Sequence, residues 1–245
     1  GVEFMGESAK LLSPNKIVLM PDKDADCPMA HMVDEYFIAR LRKEYEDLCV
    51  VCYINSTAEI KTMSDVCVTS SNAKRIVEAL PNKNILFIPD QNLGKHIAEL
   101  VPSKNFLFCN GYCPTHYRIT PEDILTAKEK HPGAPVLIHP ECKPECVELA
   151  DYAGSTSGII DYATNDQEHD EFIVVTEIGV IHEMEKRNPG KKFYPATDKL
   201  VCPNMKKNTL EKVRDCLKNN TNQVELDEEF MEKAKKPLER MHELA

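Results

Sequence analysis

The sequence predicts an α/β protein with a threefold internal repeat, and the clearest sign is the spacing of three Cys-Pro dipeptides. These begin at Cys27, Cys113 and Cys202 and are separated by 86 and 89 residues. Each dipeptide closes a similar passage, in which an apolar run, a helix-like stretch and a second apolar run precede a polar loop. Such regular spacing is typical of one structural unit used several times.

A second match, at an offset of 86 residues, relates longer stretches of the second and third units. The matched residues are Tyr53 with His139, Asn55 with Glu141, Asp65 with Asp151, Thr69 with Ser155, and Ser70 with Thr156. Polar residues therefore recur where apolar runs end. In a parallel sheet these are the carboxyl ends of strands, where open α/β folds bind ligands. The first unit has no upstream half, so we expect the sequence to be cut at its N-terminus.

Periodicity and turn residues place the elements of the first half. Met5, Ala9 and Leu12 recur at helical spacing, and Ser13-Pro14 ends that helix. Short apolar or β-branched runs indicate buried strands. We predict a helix over 2–12, a strand over 17–20, a helix over 34–46, strands over 49–54 and 66–68, a helix beginning at Ser71 or Asn72, a strand over 85–89 and a helix over 92–100.

The second half begins with a clear helix start. Thr120-Pro121-Glu122-Asp123 combines an N-cap, a proline at the first helical position and an acidic third position. We predict strands over 136–139, 172–176 and 192–196, a strand end and hydroxyl-rich turn within 151–158, a helix capped by Asn208 or Thr209, and a final helix from Asp227 that buries Phe230, Ala234, Leu238 and Met241.

Composition argues against several functional classes. The formal net charge of −10 disfavours nucleic-acid binding, which needs concentrated Lys and Arg. No apolar stretch approaches the roughly 18 residues of a membrane-spanning helix. Ten cysteines without a visible secretion signal indicate a reducing cytoplasm. In that compartment metal ligation or catalysis is favoured over disulfide formation.

The three Cys-Pro cysteines suggest a metal centre. Equivalent loops of three similar domains would bring Cys27, Cys113 and Cys202 to one axis, if the domains pack with those edges inward. Three thiolates fit a 4Fe-4S cluster with one iron left open or, less well, a zinc site. The wide spacing differs from compact metal motifs, so spacing alone also leaves open that no metal binds.

The other seven cysteines are interpreted differently. Cys49, Cys52 and Cys67 lie in apolar strands, and Cys216 lies on a helix, so we expect buried small side chains. Two C-x3-C pairs, Cys109 with Cys113 and Cys142 with Cys146, could ligate metal on a helical turn. For the second pair we favour no ligation.

Polar residues at matched positions indicate a second part of the site. If the repeat alignment holds, five side chains face the same central space: Tyr53, Asn55, His116, His139 and Glu141. His139 and Glu141 lie two residues apart at a strand end, which suits a general base and a group that orients the substrate.

Nine segments distributed along the chain are distinctive enough to compare with known families: PDKDADCPMAH, YINSTAEIKTMSDVCVTSSNA, IPDQNLGKHIAE, NGYCPTH, LIHPEC, DYAGSTSGI, VVTEIGVIHEM, CPNMKKNTLEKV and KAKKPLERM. Through these motifs the chain resembles the quinolinate synthase family of NAD biosynthesis along its whole length. The resemblance implies three αβα domains with small parallel sheets and pseudo-threefold symmetry, the first domain being incomplete here. We place these domains at 1–30 with 203–245, 31–115 and 116–202.

The resemblance also implies an activity and a cofactor. The family condenses iminoaspartate with dihydroxyacetone phosphate to quinolinate, and its open iron acts as a Lewis acid. It implies a 4Fe-4S cluster on Cys27, Cys113 and Cys202, and Glu141 as the general base. Substrate-contacting positions match Tyr53, Asn55, His116 and His139, and hydroxyls that hold phosphate or carboxylate groups match Ser70, Ser155 and Thr156.

The implied partners are small molecules, with iminoaspartate supplied by L-aspartate oxidase or aspartate dehydrogenase, and no nucleic acid or membrane. The family's Ala-His-Asn-Tyr-Gln and Gly-Asp-Ser motifs have no counterpart here, and we expect the natural product to be longer. The alternative interpretation is a non-catalytic, cysteine-ligated metal-binding α/β scaffold.

Overall fold

Two four-stranded parallel sheets form the framework of the protein. The computed structural model describes residues 1–245, which divide into two units. Unit 1 contains Gly1–Gly111 and Pro203–Ala245, and unit 2 contains Tyr112–Cys202. The prediction of a mixed α/β fold with small parallel sheets is therefore confirmed. The division into three pseudo-symmetric domains stays a prediction.

Unit 1 contains one sheet and its surrounding helices. Its elements are α1 (Glu3–Leu12), a 3-10 helix (Pro28–His31), α2 (Glu35–Glu44), β1 (Leu48–Tyr53), α3 (Ala58–Thr62), β2 (Val66–Val68), α4 (Ala73–Ala79), β3 (Asn84–Ile88), α5 (Gln91–Leu100) and β4 (Asn105–Phe108).

Unit 2 repeats the alternation of helices and strands. Its elements are α6 (Pro114–Tyr117), α7 (Pro121–Lys130), β5 (Val136–Ile138), α8 (Pro144–Val147), β6 (Tyr152–Ala153), α9 (Thr156–Asn165), β7 (Glu171–Val175), α10 (Gly179–Arg187) and β8 (Lys192–Pro195). The chain then returns to unit 1 with a 3-10 helix (Met205–Lys207), α11 (Leu210–Asn219) and α12 (Glu228–Leu244).

The two sheets have the same topology and register. Their strand orders are β2-β1-β3-β4 and β6-β5-β7-β8. Val51 pairs with Val66 in the first sheet, and Leu137 pairs with Tyr152 in the second, which is the offset of 86 that the sequence shows. The central strands are buried, since apolar helices cover both faces of such parallel sheets.

An aspartate fixes the same strand pair in each sheet. The Asp65 carboxylate accepts the Val50 N–H at 2.7 Å, and the Asp151 carboxylate accepts the Val136 N–H at 2.8 Å. The backbone N–H of each aspartate returns a bond to the carbonyl of the same valine, at 2.9 Å in both sheets. The match of Asp65 with Asp151 in the sequence is therefore a structural equivalence.

The loops before the three Cys-Pro dipeptides share one backbone hydrogen bond. The residue two places before each cysteine accepts an N–H from the start of α1, α5 or α10. The bonds are Glu3 N–H to Ala25 O at 2.9 Å, Gln91 N–H to Gly111 O at 2.9 Å and Ile178 N–H to Leu200 O at 2.8 Å. This local feature supports a third copy of the repeat.

A capped helix also follows each dipeptide at the same distance. The N-caps of α2, α7 and α11 are Asp34, Thr120 and Thr209, each seven residues after its cysteine. Each cap side chain accepts an N–H from the third helical residue, which satisfies a donor that the helix leaves unpaired. The sequence placed the caps of α7 and α11 correctly.

The strand predicted over 17–20 is wrong. There Leu19 forms an isolated antiparallel bridge with Gln223, through the bonds Met20 N–H to Asn222 O and Val224 N–H to Val18 O. The apolar run meets only this short segment, so no strand develops. In α12 the predicted Ala234, Leu238 and Met241 are buried, whereas Phe230, in the first turn, is only half-buried. None of the helices has the length and apolar character required to span a bilayer.

Candidate active site

The turn after β5 places two titratable side chains at the carboxyl end of the unit 2 sheet. His139 and Glu141 follow the strand directly, and both are buried. The backbone N–H of Glu141 lies 3.3 Å from His139 Nδ1. Because that nitrogen accepts a hydrogen bond, the neutral imidazole of His139 carries its proton on Nε2.

His116 on α6 joins this turn through its side chain. Its Nδ1 lies 2.8 Å from Glu141 Oε2, and the two side chains are 8% and 5% exposed. The same nitrogen lies 3.2 Å from Cys113 Sγ. Buried charges are stable only when they are paired. His116 and Glu141 therefore form an imidazole–carboxylate pair next to a predicted metal ligand.

Thr176 fixes the other edge of the His116 ring. It directly follows β7, is buried, and places Oγ1 3.0 Å from His116 Nε2. A carboxylate only accepts hydrogen bonds, so Nδ1 donates to Glu141, and in the neutral imidazole Nε2 accepts from the threonine hydroxyl. Thr176, His116 and Glu141 thus form a continuous hydrogen-bonded chain that sets both ring orientation and tautomer.

Glu177 fixes the backbone of a second predicted ligand, Cys202. Its Oε1 accepts the Cys202 N–H at 3.2 Å, and its Oε2 accepts the Gly179 N–H at 2.7 Å. One carboxylate therefore ties the Cys202 loop to the start of α10. Glu177 follows the carboxyl end of β7 and so lies at the same edge of the sheet as His139.

Burial separates the predicted metal ligands from the other cysteines. Cys27, Cys113 and Cys202 are partly exposed, whereas the remaining seven are buried. Burial raises the pKa of Cys109 and of Cys146 to about 11, so both stay protonated near neutral pH. Since the thiolate is the form that binds metal, the partly exposed set is the better donor set. The C-x3-C pairs are not supported as ligand pairs.

Three predicted residues of unit 1 lie at the equivalent edge of its own sheet. Tyr53 ends β1 and is buried, while Asn55 in the following turn and Ser70 after β2 are half-buried. Cys27 precedes the 3-10 helix that begins at Pro28, and its N–H contacts Asp26 Oδ1 at 2.6 Å.

The hydroxyl pair of unit 2 lies at the start of α9. Ser155 caps the helix by accepting the Gly158 N–H at 3.1 Å, and Thr156 is exposed. Helix N-termini are positions where proteins commonly bind anions.

The structure brings together His116, His139, Glu141 and Cys113 of the predicted site. Sequence reasoning missed Thr176 and Glu177, although Thr176 is the last residue of the strand predicted over 172–176 and Glu177 follows it directly. The rule that singled out His139, namely a polar residue at the carboxyl end of a parallel strand, applies equally to them.

Comparison with known proteins gives consistent matches along the chain. The family model described as Quinolinate synthetase A protein matches residues 1–243. Quinolinate synthase of Clostridioides difficile is 54% identical over 245 residues, and that of Caldicellulosiruptor bescii is 53% identical over 244; each match covers 100% of this chain and 80% of the relative. Quinolinate synthase of Methanoregula boonei is 45% identical over 241 residues, covering 98% of this chain and 79% of the relative.

Proposed function

The chain belongs to the quinolinate synthase family, an enzyme family of NAD biosynthesis, and we propose that it condenses iminoaspartate with dihydroxyacetone phosphate. The products are quinolinate, phosphate and two waters. We propose a cytoplasmic enzyme that receives iminoaspartate from L-aspartate oxidase or aspartate dehydrogenase. The observation that carries the proposal is the buried chain Thr176–His116–Glu141 beside Cys113.

The family and the cysteine set are consistent with a metal cluster. We propose a 4Fe-4S cluster held by Cys27, Cys113 and Cys202, with one iron that has no cysteine ligand. The donor set supports this choice, because these three thiols are partly exposed while the others are buried and need no metal to explain them. When bound, such a cluster supplies a Lewis acid for substrate oxygen atoms.

Glu141 and His116 suit the proton transfers of this reaction. Condensation and dehydration require a base that removes a proton from carbon and an acid that protonates a departing hydroxyl. The Glu141 carboxylate can take the proton, and the hydrogen bond that it accepts from His116 Nδ1 stabilises its charged form beforehand. Thr176 holds that ring in place while the charge on the pair changes. We propose Glu141 as the general base.

The other site residues suit substrate binding. Tyr53, Asn55 and His139 supply hydrogen-bond donors at the carboxyl ends of β1 and β5. Ser70 lies in the turn between β2 and α4, and Ser155 and Thr156 lie at the start of α9. Hydroxyl groups and helix N-termini favour anions, so we propose that these three hold the phosphate and carboxylate groups.

The test is an assay of quinolinate formation with anaerobically purified protein, alongside iron and acid-labile sulfide analysis. We expect about four irons per chain and quinolinate only when both substrates are present. Iron without quinolinate would favour the non-catalytic scaffold. Quinolinate without iron would leave the activity but overturn the cofactor assignment.

A further inference from the structure

Lys61 on α3 is fully buried in unit 1, which is unusual for a lysine. Its Nζ donates to the Ile54 carbonyl oxygen at 3.1 Å and to the Ser56 carbonyl oxygen. These two carbonyls flank Asn55 on both sides. The ammonium therefore binds the backbone of the turn that carries a proposed substrate ligand.

An aromatic ring, a carboxyl group and a thiol lie near the Lys61 side chain. Its Nζ lies 5.8 Å from the centroid of the Phe4 ring. Burial raises the pKa of Glu7, but the Ala58 N–H and the charge of Lys61 oppose that rise. Burial would also raise the pKa of Cys52, yet a hydrogen bond from Cys67 and the charge of Lys61 lower it. Lys61 thus lies close enough to the Glu7 carboxyl group and the Cys52 thiol to lower both pKa values.

The same turn is tied down by its own hydrogen bonds. Ser56 Oγ donates to the Tyr53 carbonyl at 2.9 Å, and the Ser56 N–H donates to the Ile54 carbonyl at 2.8 Å. At the end of the turn, the Ala58 N–H donates to Glu7 Oε2 at 2.9 Å. Together with the two bonds from Lys61, these hydrogen bonds fix the backbone from the end of β1 to the start of α3.

We infer that Lys61 is a positioning residue, which holds the turn after β1 so that Tyr53 and Asn55 keep a fixed geometry toward the substrate. The inference deepens the proposed function and rests on it. Lys61 itself does not touch substrate, because its ammonium is buried beneath the turn and bonded to backbone carbonyls. A displacement of about 1 Å at a binding group can cost on the order of 10²-fold in rate.

Lys104 provides a matched control for the loss of lysine–carbonyl bonds. It lies in the same unit, is half-buried, and donates through Nζ to the carbonyls of Leu80 and Asn82. Those carbonyls precede β3 and so lie at the amino end of the sheet, opposite the turn that Lys61 holds. Lys104→Met therefore removes the same kind of bond away from the proposed site.

The experiment compares Lys61→Met and Lys104→Met holoenzymes by titration calorimetry with quinolinate, by KM and kcat, and by iron content. We expect Lys61→Met to keep its iron and to bind quinolinate about tenfold or more weakly, with KM raised more than kcat is lowered. Lys104→Met should bind quinolinate as the wild type does. Unchanged affinity in Lys61→Met, or equal weakening in both variants, would overturn the inference.

Glu7→Gln serves if Lys61→Met does not fold. The amide keeps an acceptor for the Ala58 N–H but removes one negative charge beside Lys61. We expect faster amide hydrogen exchange over residues 54–58 and a few-fold loss of quinolinate affinity; no change in either would contradict the role of Lys61. If the wild-type enzyme neither forms nor binds quinolinate, the proposed function fails. Amide hydrogen exchange over residues 54–58 would still test whether Lys61 stabilises the turn.

Discussion

The turns after β1 and β5 occupy equivalent positions in two sheets of identical topology, yet they are held in opposite ways. After β5 the functional side chains bond to one another, since Glu141 contacts His116 and its N–H contacts His139. After β1 a buried lysine holds the backbone and leaves Asn55 half-buried. We therefore expect the turn after β5 to transfer protons, and the turn after β1 to offer hydrogen-bonding groups in a fixed position.

The difference shows that the two copies of the repeat share their backbone structure but carry side chains of different chemistry at the strand ends. Asp65 and Asp151 make the same backbone bonds, so the two scaffolds agree closely. At the strand ends, however, a tyrosine and an amide in unit 1 correspond to an imidazole and a carboxylate in unit 2. The buried acid–base pair that the structure shows at these strand ends therefore lies in unit 2, and that is where we expect mutations to affect turnover most.

Removal of the thiol next to His116 should have the largest effect. We expect Cys113→Ala to lose its iron and all activity, because three thiolates hold the proposed cluster. Cys146→Ala is the control: that thiol is buried and contacts the Ile119 carbonyl at 3.5 Å, so iron content should stay at the wild-type value. Iron and sulfide analysis checks both variants, and full iron in Cys113→Ala would refute the ligand assignment.

Glu141→Gln places an amide in the turn after β5, as Asn55 does in the turn after β1, and so tests whether the carboxylate makes the difference between the two turns. The amide oxygen can still accept the His116 Nδ1 proton, so iron content should be unchanged. Loss of the base should lower kcat by about 10²- to 10⁴-fold. The measurement is steady-state quinolinate formation, with Glu145→Gln, an exposed carboxylate on α8, as the control. Near-normal turnover in Glu141→Gln would remove Glu141 as the base.

A smaller effect is expected at Thr176. Strand register aligns Leu86 of β3 with Ile173 of β7, so the unit 1 counterpart of Thr176 is Pro89, a residue without a hydroxyl. Thr176→Val keeps the shape but removes the bond to His116 Nε2. We expect kcat to fall about fivefold, as for loss of one hydrogen bond of roughly 1 kcal/mol, with KM little changed. Thr176→Ser restores the hydroxyl and should restore kcat; failure of this rescue would show that Thr176 acts through packing alone.

The last prediction concerns stability and not turnover, and it tests whether the two scaffolds correspond. Asp65→Ala and Asp151→Ala each remove a carboxylate bond to a strand N–H, which costs about 1.5–3 kcal/mol of unfolding free energy. Asp65→Ala should cost slightly more, because Arg42 Nη2 also contacts that carboxylate at 2.9 Å. Urea unfolding measures both values. A large difference between them would argue against structural equivalence.

The sequence predicted the scaffold well because the repeat is visible in residue spacing. The offset of 86 correctly paired Tyr53 with His139 and Asp65 with Asp151, since parallel strands of equal register place equivalent residues at equivalent edges. Strand prediction failed at 17–20, where the apolar run meets only a short antiparallel segment near Gln223. Apolar character predicts burial but does not supply a hydrogen-bonding partner.

The candidate site was predicted in part, and the omissions have physical reasons. His116, His139 and Glu141 were found because their residue types and positions point to acid–base chemistry. Lys61 was missed because a lysine in a polar helix looks the same whether it is solvated or buried, and its burial depends on tertiary packing against Phe4. The role of Thr176 likewise depends on a ring 60 residues away in sequence.

The backbone hydrogen bond shared by the three Cys-Pro loops does not make those loops exchangeable. Ala25 and Leu200 carry side chains at the accepting position, but a Cβ at Gly111 would collide with the Pro89 carbonyl oxygen. Backbone cannot move aside as the end of a flexible side chain can. A segment transplanted from the first or third loop into the second would therefore displace Cys113, so each loop is individually fitted to the cysteine that it carries.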